Sequence, residues 1–169
     1  MLFLCGQPGT GKILLMNEIF NHELKNIEFT FNLYLNCMSL NSIKEFYQEV
    51  FSFFNKSCNL VKLQDLHVKN YKTITKILKL SPSKENLLSL LQEFNSKSLG
   101  IQLKIVFLLD EIDNFYQKHE ETNFFEILII PYTVCCDLKI IMISNNSEFD
   151  KYILPKFENR KLKMNKYVF

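Results

Sequence analysis

Seven residues, Gly6-Gln7-Pro8-Gly9-Thr10-Gly11-Lys12, constrain what this chain can fold into more than any other stretch. They follow a short apolar run, residues 1–5, and precede a stretch, 12–24, whose apolar residues recur at three- and four-residue spacing. A strand that turns through glycines into a helix aims successive backbone N–H groups inward near the positive helix end, and the spacing G-x-x-x-x-G-K adds an ammonium. Such a loop holds nucleotide phosphates. Gly6, Gln7, Pro8, Gly9, Thr10, Gly11, Lys12 and the adjoining Ile13 are therefore the candidate nucleotide-binding residues. The residue after the lysine is usually Ser or Thr, whose hydroxyl ligates Mg²⁺. Ile13 offers no oxygen, so weak metal affinity is expected, with nucleotide held by backbone and lysine while hydrolysis is slowed or lost. Thr10 lies inside the loop, away from the ligand position, and is not expected to substitute.

The rest of the chain reads as an α/β fold built around that loop. Apolar runs at 1–5, 31–36, 103–109, 138–143 and, more weakly, 162–168 alternate with helix-like stretches at 12–24, 42–54, 84–98 and 122–130. This order predicts five strands in a largely parallel sheet. Ser81-Pro82-Ser83 followed by Glu85 marks a clean helix start. A chain of 169 residues suits one domain, residues 1–169, and its 47% hydrophobic and 22% charged residues are those of a globule.

Charge and cysteine usage exclude several classes. A net charge of +2 cannot justify nucleic-acid binding by the chain as a whole. The stretch 55–80 is locally basic, with six lysines against Asp65 alone; it reads as a surface helix with a solvated lysine face, and a DNA or partner contact is the alternative. The five irregularly spaced cysteines fit reduced intracellular thiols, and adjacent Cys135-Cys136 make a poor metal pair. No apolar run approaches the roughly 20 residues that span a bilayer, so no membrane role is expected.

Further chemistry sits at the ends of two other strands. Ile105-Val106-Phe107-Leu108-Leu109 runs into Asp110-Glu111, which places two carboxylates at the carboxyl end of a central strand, where open α/β sheets bind ligands. Asp110 is the candidate ligand for Mg²⁺, and Glu111 the candidate base that polarises the attacking water. After residues 140–143 comes Asn145, whose amide both donates and accepts and suits it to orient water or touch a terminal phosphate. Arg160 is the single arginine of the chain, and its planar guanidinium suits phosphate recognition.

Together these motifs resemble the AAA+ initiator clade, the family of cell division control protein 6 and origin recognition complex subunit 1. Asn36-Cys37-Met38-Ser39-Leu40, Leu109-Asp110-Glu111-Ile112-Asp113, Ile143-Ser144-Asn145 and Ile153-Leu154-Pro155-Lys156-Phe157-Glu158-Asn159-Arg160 are similar to segments of that family, and the first favours the cell division control protein 6 branch. The resemblance implies a P-loop three-layer sandwich with a five-stranded parallel sheet, ATP and Mg²⁺ as cofactors, and ATP hydrolysis. It also implies Asn145 as sensor and Arg160 as a finger reaching a neighbour's nucleotide; Lys156 stands where the family prefers arginine. The implied partners are origin recognition subunits and the minichromosome maintenance helicase, in the nucleus at replication origins. The family's lid and winged-helix regions have no counterpart in residues 1–169, so the chain reads as the nucleotide-binding core alone. The second reading is a scaffold that keeps fold and interfaces without turnover.

Overall fold

A parallel sheet whose central strands are apolar on both faces must be covered on both sides, and this chain does so with helices. The computed structural model describes residues 1–24, 30–60, 70–95, 104–119, 121–134, 137–163 and 165–168. Its strands are β1 (Leu2–Cys5), β2 (Thr30–Asn36), β3 (Lys104–Asp110), β4 (Asp137–Ser144) and β5 (Asn165–Val168). Helices α1 (Lys12–Glu18), α2 (Ile43–Leu60), α3 (Tyr71–Leu78), α4 (Lys84–Asn95), α5 (Ile112–Lys118), α6 (Glu121–Leu128), α7 (Ile130–Thr133) and α8 (Phe149–Asn159) lie between them. The five strands form one sheet in the order β2-β3-β4-β1-β5, every pair parallel.

Alternation along the strands divides the core into two layers. Phe3, Phe107 and Met142 face a large cluster with Phe31, Phe54 and Phe94, while Leu4, Leu108 and Ile143 face a smaller one with Met16 of α1. The first layer is an aromatic assembly: Phe54 lies 5.2 Å from Phe94, 5.9 Å from Phe31 and 6.4 Å from Phe107, ring centroid to ring centroid. Edge-on and tilted contacts of this kind suit the ring quadrupoles. β5 differs, because all four of its residues are exposed.

The register brings the chemistry to one edge. Cys5 pairs with Ser144, Leu109 with Met142 and Asn36 with Asp110, so β1, β3 and β4 end side by side. The loop after β1, the acids after β3 and Asn145 after β4 therefore emerge at a common rim.

The expected strands all form, with shifts of a residue or so at their starts and ends and a later start for β5. The helices depart further. The stretch 12–24 is an α-helix only to Glu18 and continues as a π-helix over Ile19–Leu24. The second helix runs on to Leu60, and 122–130 divides into α6 and α7, with a proline in the first turn of α7. Helices α5 and α8 were not anticipated. In α8 Pro155 removes an N–H from the interior, a strong argument against a helix, yet buried Phe149, Ile153 and Phe157 at four-residue spacing hold it and Pro155 lies on the exposed side. Within the basic stretch, Ile74 and Leu78 of α3 are buried while Lys72 and Lys76 are exposed, as a solvated lysine face requires; residues 61–69 lie outside the described residues. Among the described residues no helix is long and apolar enough to cross a membrane.

Phe54 is fully buried at the centre of the aromatic layer. Phe54→Ala is expected to cost about 3–5 kcal/mol, read as a lowered urea midpoint at unchanged slope.

Candidate nucleotide-binding site

The loop between β1 and α1 is shaped by its glycines. Gly9 and Gly11 have φ of 81° and 82°, the left-handed region where a side chain is strained even though open space surrounds both positions. Lys12 is only 3% exposed. A buried ammonium needs acceptors, and Nζ donates to Gly6 O at 3.0 Å, Gln7 O at 2.8 Å and Thr10 Oγ1 at 3.1 Å. The Thr10 hydroxyl in turn donates to Gln7 O at 2.9 Å, so it braces the loop. The loop from Pro8 to Lys12, with Ile13, Leu14 and Asn145, lines a cleft of about 250 Å³.

At the end of β3, Asp110 is 6% exposed and both carboxylate oxygens are engaged. Oδ1 accepts the Glu111 N–H at 2.9 Å, and Oδ2 accepts the Tyr34 hydroxyl at 2.9 Å. Burial, and then the bond to Asp110, push the Tyr34 phenol up to about 12, so it is a donor at neutral pH. Cys37, buried beside Asp110, Asp113 and Glu111, has its thiol pushed upward by burial first and by those carboxylates second. Asp113 Oδ1 is buried without a hydrogen-bond partner among the described residues.

Glu111 adopts a left-handed backbone at φ 55°, a conformation costing on the order of 1–3 kcal/mol for a non-glycine residue. It holds because the residue is fixed from several sides. Asn145 Nδ2 donates to Oε1, Asn114 Nδ2 donates to Oε2 at 2.8 Å, and the Glu111 carbonyl accepts the Asn114 N–H at 3.1 Å. The two sequence motifs that supplied Glu111 and Asn145 are thus joined directly.

Arg160 and Lys156 lie elsewhere, at the carboxyl end of α8. Arg160 donates to Glu121 Oε1 at 2.9 Å, and its guanidinium carbon sits 3.9 Å from the centre of the Phe125 ring. Lys156 donates to Glu121 Oε2 and, at 2.7 Å, to the Tyr116 hydroxyl. The candidate finger is therefore tied to α6 of its own chain.

Sequence reasoning did not single out Tyr34, Asn114 or Glu121. Asn114 had a signal, its three-residue helical spacing from Glu111. Tyr34 and Glu121 had none without the strand register and the packing of α8 on α6.

The donors at hand do not fit a magnesium ion held by the protein. Mg²⁺ demands near-ideal octahedral oxygen geometry, normally from the hydroxyl after the lysine and the strand-end aspartate along with phosphates and water. The Ile13 side chain supplies only carbon, and Asp110 Oδ2 already accepts the Tyr34 hydroxyl.

The Lys156 bond, and beside it Arg160, hold the Glu121 carboxyl below its usual range. A group whose folded pKa is lowered contributes stability above its unfolded pKa and loses it as pH falls through the folded value. Wild type and Glu121→Gln are therefore expected to differ in melting temperature at neutral pH and to converge below a pH of about 4, followed by thermal denaturation across that range.

Comparison with known proteins agrees with this geometry. The AAA domain family matches residues 1–153. Cell division control protein 18 of Schizosaccharomyces pombe is 20% identical over 159 residues, which are 94% of this chain and 24% of that protein. The structure of the Aeropyrum pernix ORC2 protein, in ADPNP-ADP complexes, superposes with a TM-score of 0.63 at 11% identity over 99% of this chain and 41% of its own. A Walker-type ATPase of Pyrococcus abyssi also gives 0.63, at 19% identity, covering 99% of this chain and 48% of the other. The chain thus spans about a quarter of the curated relative and under half of each solved one. With a P-loop after β1, paired acids after β3, an asparagine after β4 and a family match across nearly all of its length, this chain belongs to the AAA domain family.

Proposed function

We propose that this chain is the ATP-binding AAA+ module of a replication-initiation protein, assisting loading of the minichromosome maintenance helicase at origins. The observation that carries it is the convergence of the Lys12 loop, Asp110-Glu111 and Asn145 on one rim, in a chain similar to Cell division control protein 18. The backbone N–H groups of Gly9, Gly11 and Lys12 and the Lys12 ammonium would hold the phosphates, with Lys12 exchanging its carbonyl partners for phosphate oxygens. Nucleotide occupancy would then bias assembly with neighbouring subunits. Origin recognition subunits are the proposed partners and the nucleus the proposed location. Asn145 would hold Glu111 in place, and Arg160, released from Glu121, would reach a neighbour's nucleotide. Exposed Lys72 and Lys76 of α3 offer at most a weak local DNA contact.

Two observations favour a second reading, a scaffold that binds nucleotide without turning it over. Ile13 replaces the usual hydroxyl, and each Glu111 oxygen already accepts an amide N–H, which makes the carboxylate a weaker base toward water.

Lys12→Ala is expected to weaken ATP binding at least about tenfold, measured by isothermal titration. Binding of the variant as tight as wild type would remove the phosphate role of the loop. Pull-down with wild-type chain in ATP is expected to recover origin recognition or helicase subunits, and Lys12→Ala to lose them; equal recovery would separate assembly from nucleotide.

A further inference from the structure

We propose that nucleotide binding at this loop is independent of magnesium, because Ile13 withdraws one metal-facing oxygen and the Tyr34 phenol competes for the other. The inference rests on the nucleotide-binding reading and concerns how that site neutralises phosphate charge. Tyr34 is not placed there by chance of rotamer alone. In the β2–β3 register Tyr34 pairs with Leu108 and Asn36 with Asp110, so Tyr34 and Asp110 are diagonal neighbours on one face of the sheet. Diagonal pairs are within reach of long side chains, and the phenol spans the gap to Oδ2 at 2.9 Å. The other oxygen is held by the Glu111 N–H, itself fixed by the left-handed turn at φ 55°.

The consequence is a carboxylate oxygen that already accepts one proton and has a single lone pair left to offer a metal-bound water. Mg²⁺ gives up its waters reluctantly and tolerates little distortion, so it would have to share Oδ2 with the phenol, with no hydroxyl from position 13 to help. Phosphate charge is instead met by Lys12 and the N–H groups of the loop. Tyr34 acts through Asp110 and is a positioning residue.

The test uses a fluorescent ATP analogue titrated into the wild-type chain in excess EDTA and in millimolar Mg²⁺. The two dissociation constants are expected to agree within about threefold. Ile13→Thr alone is expected to leave that ratio below about threefold, since Tyr34 still caps Asp110, whereas Ile13→Thr combined with Tyr34→Phe is expected to let Mg²⁺ tighten binding by more than about tenfold. Melting temperatures of each variant confirm folding, and the comparison on the wild type needs no substitution. Wild-type binding tightened tenfold or more by Mg²⁺ overturns the inference and leaves the proposed function standing. A single Ile13→Thr that gains the full effect overturns the part assigned to Tyr34. No binding in either medium removes the nucleotide-binding reading and this inference with it.

Discussion

The ammonium of Lys12 is the interaction on which the site's architecture turns. A cation 3% exposed has no water to fall back on, and its three acceptors all belong to the preceding loop. The loop can close on the lysine only because Gly9 and Gly11 accept left-handed backbone, and α1 can start only where that turn leaves off. Sequence, turn and helix start are therefore one constraint: any change that opens the loop also strands a buried charge. Under the proposed function such a cradle would be built before ligand arrives, with the lysine's bonds to carbonyl oxygens standing in for bonds to phosphate.

The acidic end of β3 is organised by the opposite logic. Its carboxylates are satisfied one oxygen at a time by neighbours on three elements: Tyr34 from β2, Asn114 from α5 and Asn145 from beyond β4. Asp110 and Glu111 are thereby rigid, and their rigidity is what makes the left-handed backbone at Glu111 sustainable.

How much of this could be read from the sequence follows from the range of each interaction. The glycine loop is local, and its residues declare its geometry within seven positions. The alternation of strands and helices was legible as an α/β pattern, and the ends of β3 and β4 were legible as polar residues following apolar runs. The Tyr34–Asp110 bond spans 76 positions and depends on register, which periodicity leaves open; the Glu121 clamp on Lys156 and Arg160 depends on how α8 packs against α6. Helix α8 itself was hidden by Pro155, where a local rule against helix lost to the burial of Phe149, Ile153 and Phe157. Residues 96–103, 135 and 136 carry part of the expected third helix, the start of the third strand and the Cys135-Cys136 pair, and lie outside the described residues.

Cys37 shows what the crowding of carboxylates does to chemistry nearby. Its sulfur sits next to the strand-end acids at 1% exposure, and burial together with three negative neighbours keeps the proton on it. Peroxide, alkylating reagents and disulfide partners all react with thiolate. A reactive cysteine directly after β2 and beside Asp110 would open the strand-end acids to the redox state of their surroundings. Here burial and the same acids that shape the strand end hold the sulfur in its neutral, less nucleophilic form.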